Sequence, residues 1–279
     1  MTKLADQGFE VSTGLDFDLT GRLALVTGST RGIGLATAKG LAGMGAEVIV
    51  NGRSQKAVDD AIAAIGQVVE GARLQGLAAD LSNAEGCATL IAAFPKVDIL
   101  VNNMGVYDPK PFFDIPDEDW QAMFDINVMS GVRLTRHYLK GMLDAGGWGR
   151  VVFISSESGI VIPQEMVHYG FSKSAQLAIA RGAAETTKGT DVTVNSVLPG
   201  PTWVESTDAR MATRAQTLAT TVDELKARTF SERRPSSLLQ RYTTPDEVAN
   251  MICYVCSKAA SATNGAALRV EGGIVTNPF

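Results

Sequence analysis

Short runs of apolar, β-branched residues recur along the chain and alternate with longer amphipathic segments. The runs are Arg22–Thr27 (RLALVT), Glu47–Val50, Leu74–Ala79, Val97–Val101 (VDILV), Val151–Ser155 (VVFIS), Val192–Leu198 (VTVNSVL) and Ala267–Val270. Apolar side chains on consecutive positions predict strands buried on both faces. Between them, Ile33–Met44, Gln55–Ile65, Ala84–Ala93, Asp117–Asp144 and Tyr169–Thr187 carry apolar positions at helical spacing. The alternation predicts an α/β chain, with a parallel sheet between two layers of helices. No internal repeat and no Pro-, Gly- or Ser-rich linker divides it. An N-terminal arm over residues 1–18 and a single domain over 19–279 follow. Residues 202–244 break the rhythm, with no strand pattern, only helix and loop. An insertion of that length in a compact domain usually serves function, and here it reads as a lid on the substrate site.

Composition narrows the function classes. The chain has 279 residues, 45% hydrophobic and 20% charged, an ordinary globular balance. A formal net charge of -5 argues against nucleic acid as a partner, because phosphate binding calls for a basic face. No stretch approaches the roughly 20 apolar residues that span a bilayer, and the acids and glycines of MTKLADQGFEVSTGLDFDLTG stand where a signal peptide would be apolar. Cys87, Cys253 and Cys256 are an odd number, which disfavours a disulfide framework. Cys253 and Cys256 form a CxxC, but VANMICYVCSKA has helical periodicity and reads as core packing, not a metal site. A reducing, cytoplasmic compartment fits.

The first predicted strand ends in Thr27-Gly28-Ser29-Thr30-Arg31-Gly32-Ile33-Gly34, and a helix follows. Glycines let the backbone turn tightly against a pyrophosphate, and the helix N-terminus offers free N–H groups to it. A Gly-rich turn alone is common, but the strand-to-helix context is what a dinucleotide site requires. The second strand runs into Asn51-Gly52-Arg53, without the acid that bonds a ribose 2′-hydroxyl. Arg53 and Arg31 are placed to meet a 2′-phosphate instead; otherwise they are solvated surface cations. The reading is NADP(H), with NAD(H) as the alternative.

Tyr169 and Lys173 stand four residues apart on a predicted helix and so share a face. A tyrosine with an ordinary pKa of about 10 is a poor base near neutrality, and a neighbouring ammonium lowers that value. Ser156, at the end of a strand, offers a hydroxyl to a substrate oxygen. A YxxxK by itself is often an ordinary surface pair. His168 adjoins Tyr169, but adjacent helical residues do not share a face, and it is left out of the site.

TGSTRGIG, Asp80-Leu81, Asn102-Asn103-Met104-Gly105, Asn127, Ser156, YGFSK and Pro199-Gly200 occur in an order that resembles the short-chain dehydrogenase/reductase family. The resemblance runs from Leu19 to about Gly273, with Met104 where the family usually has alanine. It implies a Rossmann fold and hydride transfer between a nicotinamide and a carbonyl or secondary alcohol, with Tyr169 as acid/base. It also implies that Asp80 and Leu81 border the adenine and that Asn103 and Gly105 lie against the nucleotide. Asn127 would support a water relaying protons to Lys173, Lys173 would bond the nicotinamide ribose, and Thr202 would meet the nicotinamide. Asn127 otherwise only kinks its helix, and Thr202 only starts the next one.

Trp203, Met211, Leu218, Leu225 and Phe230 in the lid either line a pocket for a substrate with apolar bulk or pack the lid onto the body. The chain resembles 3-oxoacyl-carrier-protein reductases, but Gly147 and Thr190 stand where that branch has basic docking residues. This favours small carbonyl or alcohol substrates over an acyl thioester, although Arg228, Arg233 or Arg234 offer other docking charges. A catalytically silent NADP-binding regulator or scaffold is the alternative class. The resemblance further implies a homo-oligomer, a tetramer, assembled through segments around Asn127–Leu143 and Ser172–Thr187.

Overall fold

A computed structural model describes residues 15–278 of the chain, so the predicted arm of residues 1–18 falls mostly outside the described residues. Seven strands form one sheet: β1 (Leu23–Val26), β2 (Glu47–Gly52), β3 (Arg73–Ala78), β4 (Ile99–Asn102), β5 (Gly149–Ile154), β6 (Val192–Pro199) and β7 (Ala267–Val270). Their order is β3-β2-β1-β4-β5-β6-β7, and every pairing is parallel. The inner strands are buried on both faces, as their continuous apolar runs require. The edge strand β3 departs from that pattern, because exposed and partly buried residues alternate along its first half.

The helices are α1 (Gly32–Gly43), α2 (Gln55–Gly66), α3 (Ala84–Ala93), α4 (Asp117–Phe124), α5 (Ser130–Asp144), α6 (Val167–Glu185), α7 (Glu205–Thr217), α8 (Val222–Arg228) and α9 (Pro245–Cys256). They cover both faces and close two large apolar clusters, one around Val26, Val48 and Ile252, the other around Leu100, Tyr138 and Phe153. Local chemistry sets several starts. Asn83 accepts from Gly86 N at 2.9 Å at the head of α3. Thr244 and Glu247 form a capping box on α9, with Pro245 at its first position. A Cβ on Gly40 of α1 would stand 2.5 Å from Cys253 Sγ of α9, so the CxxC cysteines are packing residues.

The single helix expected over Asp117–Asp144 is interrupted by a π turn at Asp125–Met129, which carries Asn127. Residues 202–244 form a helical excursion of α7, α8 and a second π turn, Thr229–Arg233. Its two ends are tied together: Trp203 N donates to Thr243 O at 2.8 Å, and Thr243 N donates to Pro201 O at 3.0 Å. The sheet reverses winding direction between β1 and β4, and the crevice outside their carboxyl ends is where such sheets bind ligands.

Candidate active site

At that crevice β1 gives way to a glycine turn. Gly28 and Gly32 hold φ of 61° and 54°, a region open to glycine but strained for other residues. A Cβ on Gly34 would lie 2.5 Å from Gly28 O, so the first turn of α1 sits directly against the loop. Asn51 holds the loop from below. Its Oδ1 accepts from Gly28 N at 3.3 Å, its backbone carbonyl from Ser29 N at 2.9 Å, and its Nδ2 donates to Leu77 O and Ala79 O. Asn103 holds it from the side, donating from Nδ2 to Thr27 O at 2.9 Å and to Gly28 O at 3.1 Å. The amide sites of Asn103 are thus largely spent on the loop, although the residue still lines the cavity.

No side chain caps the N-terminus of α1, and its first turn has no acid, so its N–H groups and positive potential face outward toward an anion. Arg31 and Arg53 are both exposed, and among the described residues neither has an ion-pair partner. The glycine cradle, the open helix end and the two free guanidinium groups fit a phosphorylated dinucleotide. Asp80 is exposed beside this region, whereas Leu81 is 1% exposed and packs in the second core cluster. Leu81 lies three residues past the end of β3, and its side chain turns into the core, leaving its backbone toward the crevice.

Beyond the cradle the strands β5 and β6 and helix α6 converge on a cavity of about 300 Å³. Ser156, Tyr169, Lys173, Ile33, Gly105, Pro199, Gly200 and Thr202 all line it, so the expected residues are brought together. Lys173 is buried, and its Nζ donates to Ile154 O at 2.8 Å and to Gln176 Oε1 at 3.1 Å. Burial pulls its pKa down to about 7. Gly105 leaves room for it, since a Cβ there would stand 3.3 Å from Lys173 Nζ.

Tyr169 departs from expectation. Its pKa is raised, first by burial and then by the Glu157 charge, with a Ser156 hydrogen bond pulling the other way. Lys173 Nζ lies 5.6 Å from the Tyr169 ring centroid and spends its hydrogen bonds on Ile154 and Gln176. The lysine is thus not the counter-ion that was expected to acidify the tyrosine. A phenol of raised pKa is a proton donor near neutrality.

Asn127 ties the π turn to both neighbours. Its Oδ1 accepts from Val106 N at 2.8 Å, and its Nδ2 donates to Val106 O and to Ser172 Oγ at 2.9 Å. Its backbone carbonyl accepts from Gln176 Nε2 at 2.6 Å. Thr202 Oγ1 bonds Gly200 O and Thr243 Oγ1, both at 3.0 Å, pinning the start of the excursion. His168 is buried on the other side of α6, edge-on to Trp120.

The excursion closes the cavity with polar groups. Thr207, Arg210, Thr229, Arg233, Arg234 and Tyr242 line it. Met211, Ala215 and Leu225 instead form a small core of their own with Trp203, Val222 and Tyr242, and Phe230 is buried edge-on to Tyr242. Leu218 is half-exposed. Of the two readings these residues admitted, Trp203, Met211, Leu225 and Phe230 take the second and pack the segment, while Val204 joins the cavity wall. Arg234, weighed as a docking charge, points inward to Glu157. Sequence reasoning missed Glu157, Gln176 and Asn51. Their local sequence carries no signal of a role, because most of the groups they bond come from other elements.

The family model for short chain dehydrogenases matches residues 22–217, and the chain belongs to that family. It is 46% identical over 265 residues to an uncharacterized oxidoreductase, YvaG, of Bacillus subtilis, covering 95% of this chain and 100% of the relative. It is 35% identical over 261 residues to D-beta-hydroxybutyrate dehydrogenase of Cupriavidus necator, covering 92% of this chain and 99% of the relative. The crystal structure of L-sorbose reductase from Gluconobacter frateurii, complexed with NADPH and L-sorbose, superposes with a TM-score of 0.87. It shares 26% identity and covers 94% of this chain and 99% of the neighbour. The protein is thus an oxidoreductase of the kind that acts on CH–OH and C=O groups.

Proposed function

We propose that the protein is an NADP(H)-dependent reductase of small polar ketones, with Tyr169 as the proton donor. The carrying observation is Tyr169 itself: a half-buried phenol of raised pKa in the same cavity as Ser156 and Lys173. Bound at the glycine cradle, NADPH supplies a hydride to the substrate carbonyl carbon. The cavity residues do the rest. Ser156 holds the substrate oxygen, and Tyr169 gives its proton to that oxygen as it becomes a hydroxyl. Lys173 orients the nicotinamide ribose from its seat on Ile154 O, and Arg31 and Arg53 bind the 2′-phosphate.

The polar residues of the excursion that line the cavity favour a compact hydroxylated or acidic ketone over a long acyl chain. Residues 202–244 are its lid, part of one domain that runs from 19 to 279. The half-exposed Phe171 stacks with Phe124 on the outer face of α6 and α4, an apolar surface that suits a homotetramer, which light scattering would check. The decisive experiment is a panel of small ketones, sugars and keto acids with NADPH and NADH. Turnover with NADPH on polar ketones is expected. A preference for NADH, or turnover of long apolar ketones alone, overturns the reading.

A further inference from the structure

The Ser156 hydroxyl is engaged from two sides. Its Oγ accepts from Ser158 N at 3.1 Å, and its proton goes to Glu157 Oε2 at 2.5 Å. Glu157 is 4% exposed, although it lines the cavity. A carboxylate that deep is costly unless it is paired and bonded. Its partner comes from the lid: Arg234 Nε donates to Glu157 Oε1 at 3.1 Å, and the guanidinium is itself largely buried. Arg234 caps the π turn Thr229–Arg233 and so belongs to the excursion. The neighbouring Arg233 pairs with Glu165, and among the described residues Arg234 is the cation paired with Glu157.

We propose that Glu157 and Arg234 are positioning residues for the Ser156–Tyr169 pair, giving the two hydroxyls their working orientation and charge only while the lid is closed. The carboxylate holds the Ser156 hydroxyl at the cavity wall until a substrate oxygen takes its proton. The guanidinium neutralises that carboxylate beside the phenol. With the lid open, Glu157 is left as an uncompensated negative charge next to Tyr169. It then opposes the negative charge that appears on the Tyr169 oxygen as the proton leaves. The pair thereby couples lid closure to proton donation, without either residue touching the reacting atoms.

The charged and titratable groups that face Tyr169 are Glu157 after β5, Tyr107 after β4, Arg234 from the lid and Lys173 on its own helix. Glu157 and Tyr107 raise its pKa, and Arg234 lowers it. Removal of the two members of the pair therefore acts in opposite directions, which a merely structural role does not produce.

The inference rests on the reductase reading, and its test separates the two. Full-length wild type, Glu157→Gln, Arg234→Met and the double variant would be compared with NADPH bound. Hydrogen exchange over residues 205–233 needs no substrate. Arg234→Met should speed it about 10-fold or more, because it strands a buried charge, while NADPH affinity stays within about 2-fold, below the tenfold that 1.4 kcal/mol would give. On any ketone the wild type reduces, Arg234→Met should lower kcat about 10-fold or more. The alkaline limb of the rate profile should move to higher pH in Arg234→Met and to lower pH in Glu157→Gln. Unchanged exchange in Arg234→Met, or limbs that do not move or move together, overturns the coupling. If the wild type reduces no ketone while exchange responds as expected, the reductase reading fails and the lid contact stands.

Discussion

The side-chain amide of Gln176 donates to the backbone carbonyl of Asn127 at 2.6 Å, joining α6 to the π turn. Its other end accepts from Lys173 Nζ at 3.1 Å. The amide is oriented by its neighbours, since a carbonyl needs a donor and an ammonium an acceptor. Lys173 and Asn127 are thus linked through the Gln176 amide. The π turn is what aims the Asn127 carbonyl, and such bulges are frequent at functional sites. Gln176→Leu removes an acceptor from a buried ammonium and leaves the carbonyl without its amide donor. We expect kcat to fall about 10-fold, in line with one lost hydrogen bond to a charged group, with NADPH affinity little changed. Steady-state kinetics and NADPH fluorescence check it.

Tyr169→Phe keeps the ring and deletes the proton. A positioned acid contributes about 10²- to 10⁴-fold, so kcat should fall by that range while NADPH still binds. Ser156→Ala removes a single hydrogen-bond donor and should cost about 10²- to 10³-fold. It also leaves Glu157 without its hydroxyl partner. Retained turnover in Tyr169→Phe would show that the proton comes from elsewhere.

Cofactor selection should divide between shape and charge. Gly34→Ala places a methyl 2.5 Å from Gly28 O and 2.9 Å from Ser29 Cα, both backbone atoms that cannot swing aside. It should weaken NADPH and NADH alike. Arg31→Ala and Arg53→Ala remove guanidinium groups that have no other ion pair among the described residues. A charge-assisted hydrogen bond is worth about 1.5–3 kcal/mol, so each should weaken NADPH about 10- to 100-fold and leave NADH nearly unaffected. Dissociation constants for both cofactors in the three variants check the division.

Much of the fold was legible: all seven predicted strands fall within two residues of β1 to β7, and the continuous apolar runs of the inner strands are the trace of burial on both faces. The glycine turn was legible because its backbone geometry admits few other residues. The side-chain roles within residues 202–244 were not. Met211, Leu225 and Trp203 carry the same signal whether they face a substrate or each other, and only the tertiary packing shows them in a small core of their own. The electrostatics of Tyr169 were equally hidden. YxxxK fixes a shared helical face, but the tyrosine answers to Glu157, on the loop after β5, and to Arg234, 65 residues further along the chain from Tyr169. Such partners belong to the tertiary structure, and no local spacing encodes them.

Two buried bases on α6 make the cofactor-free protein favour alkaline over acid conditions. His168 is buried, among the described residues neither of its ring nitrogens has a hydrogen-bond partner, and burial lowers its pKa from 6.5. Burial likewise brings Lys173 from 10.5 to about 7. In each case the folded pKa lies below the unfolded one, so between the two values the unfolded chain holds a proton that the folded chain lacks. Stability then rises with pH across that interval. For Lys173 the interval runs from about 7 to 10.5. For His168 it lies below 6.5, and stability is lost as pH falls through the folded value. Each group contributes up to about 1.4 kcal/mol per pH unit within its interval. Thermal unfolding of the cofactor-free protein should therefore show Tm climbing from pH 7 to pH 9. Lys173→Met should flatten that climb, and His168→Leu should blunt the loss below pH 6.5. A wild-type Tm that falls between pH 7 and pH 9, or slopes that survive both substitutions, would place the titrating groups elsewhere.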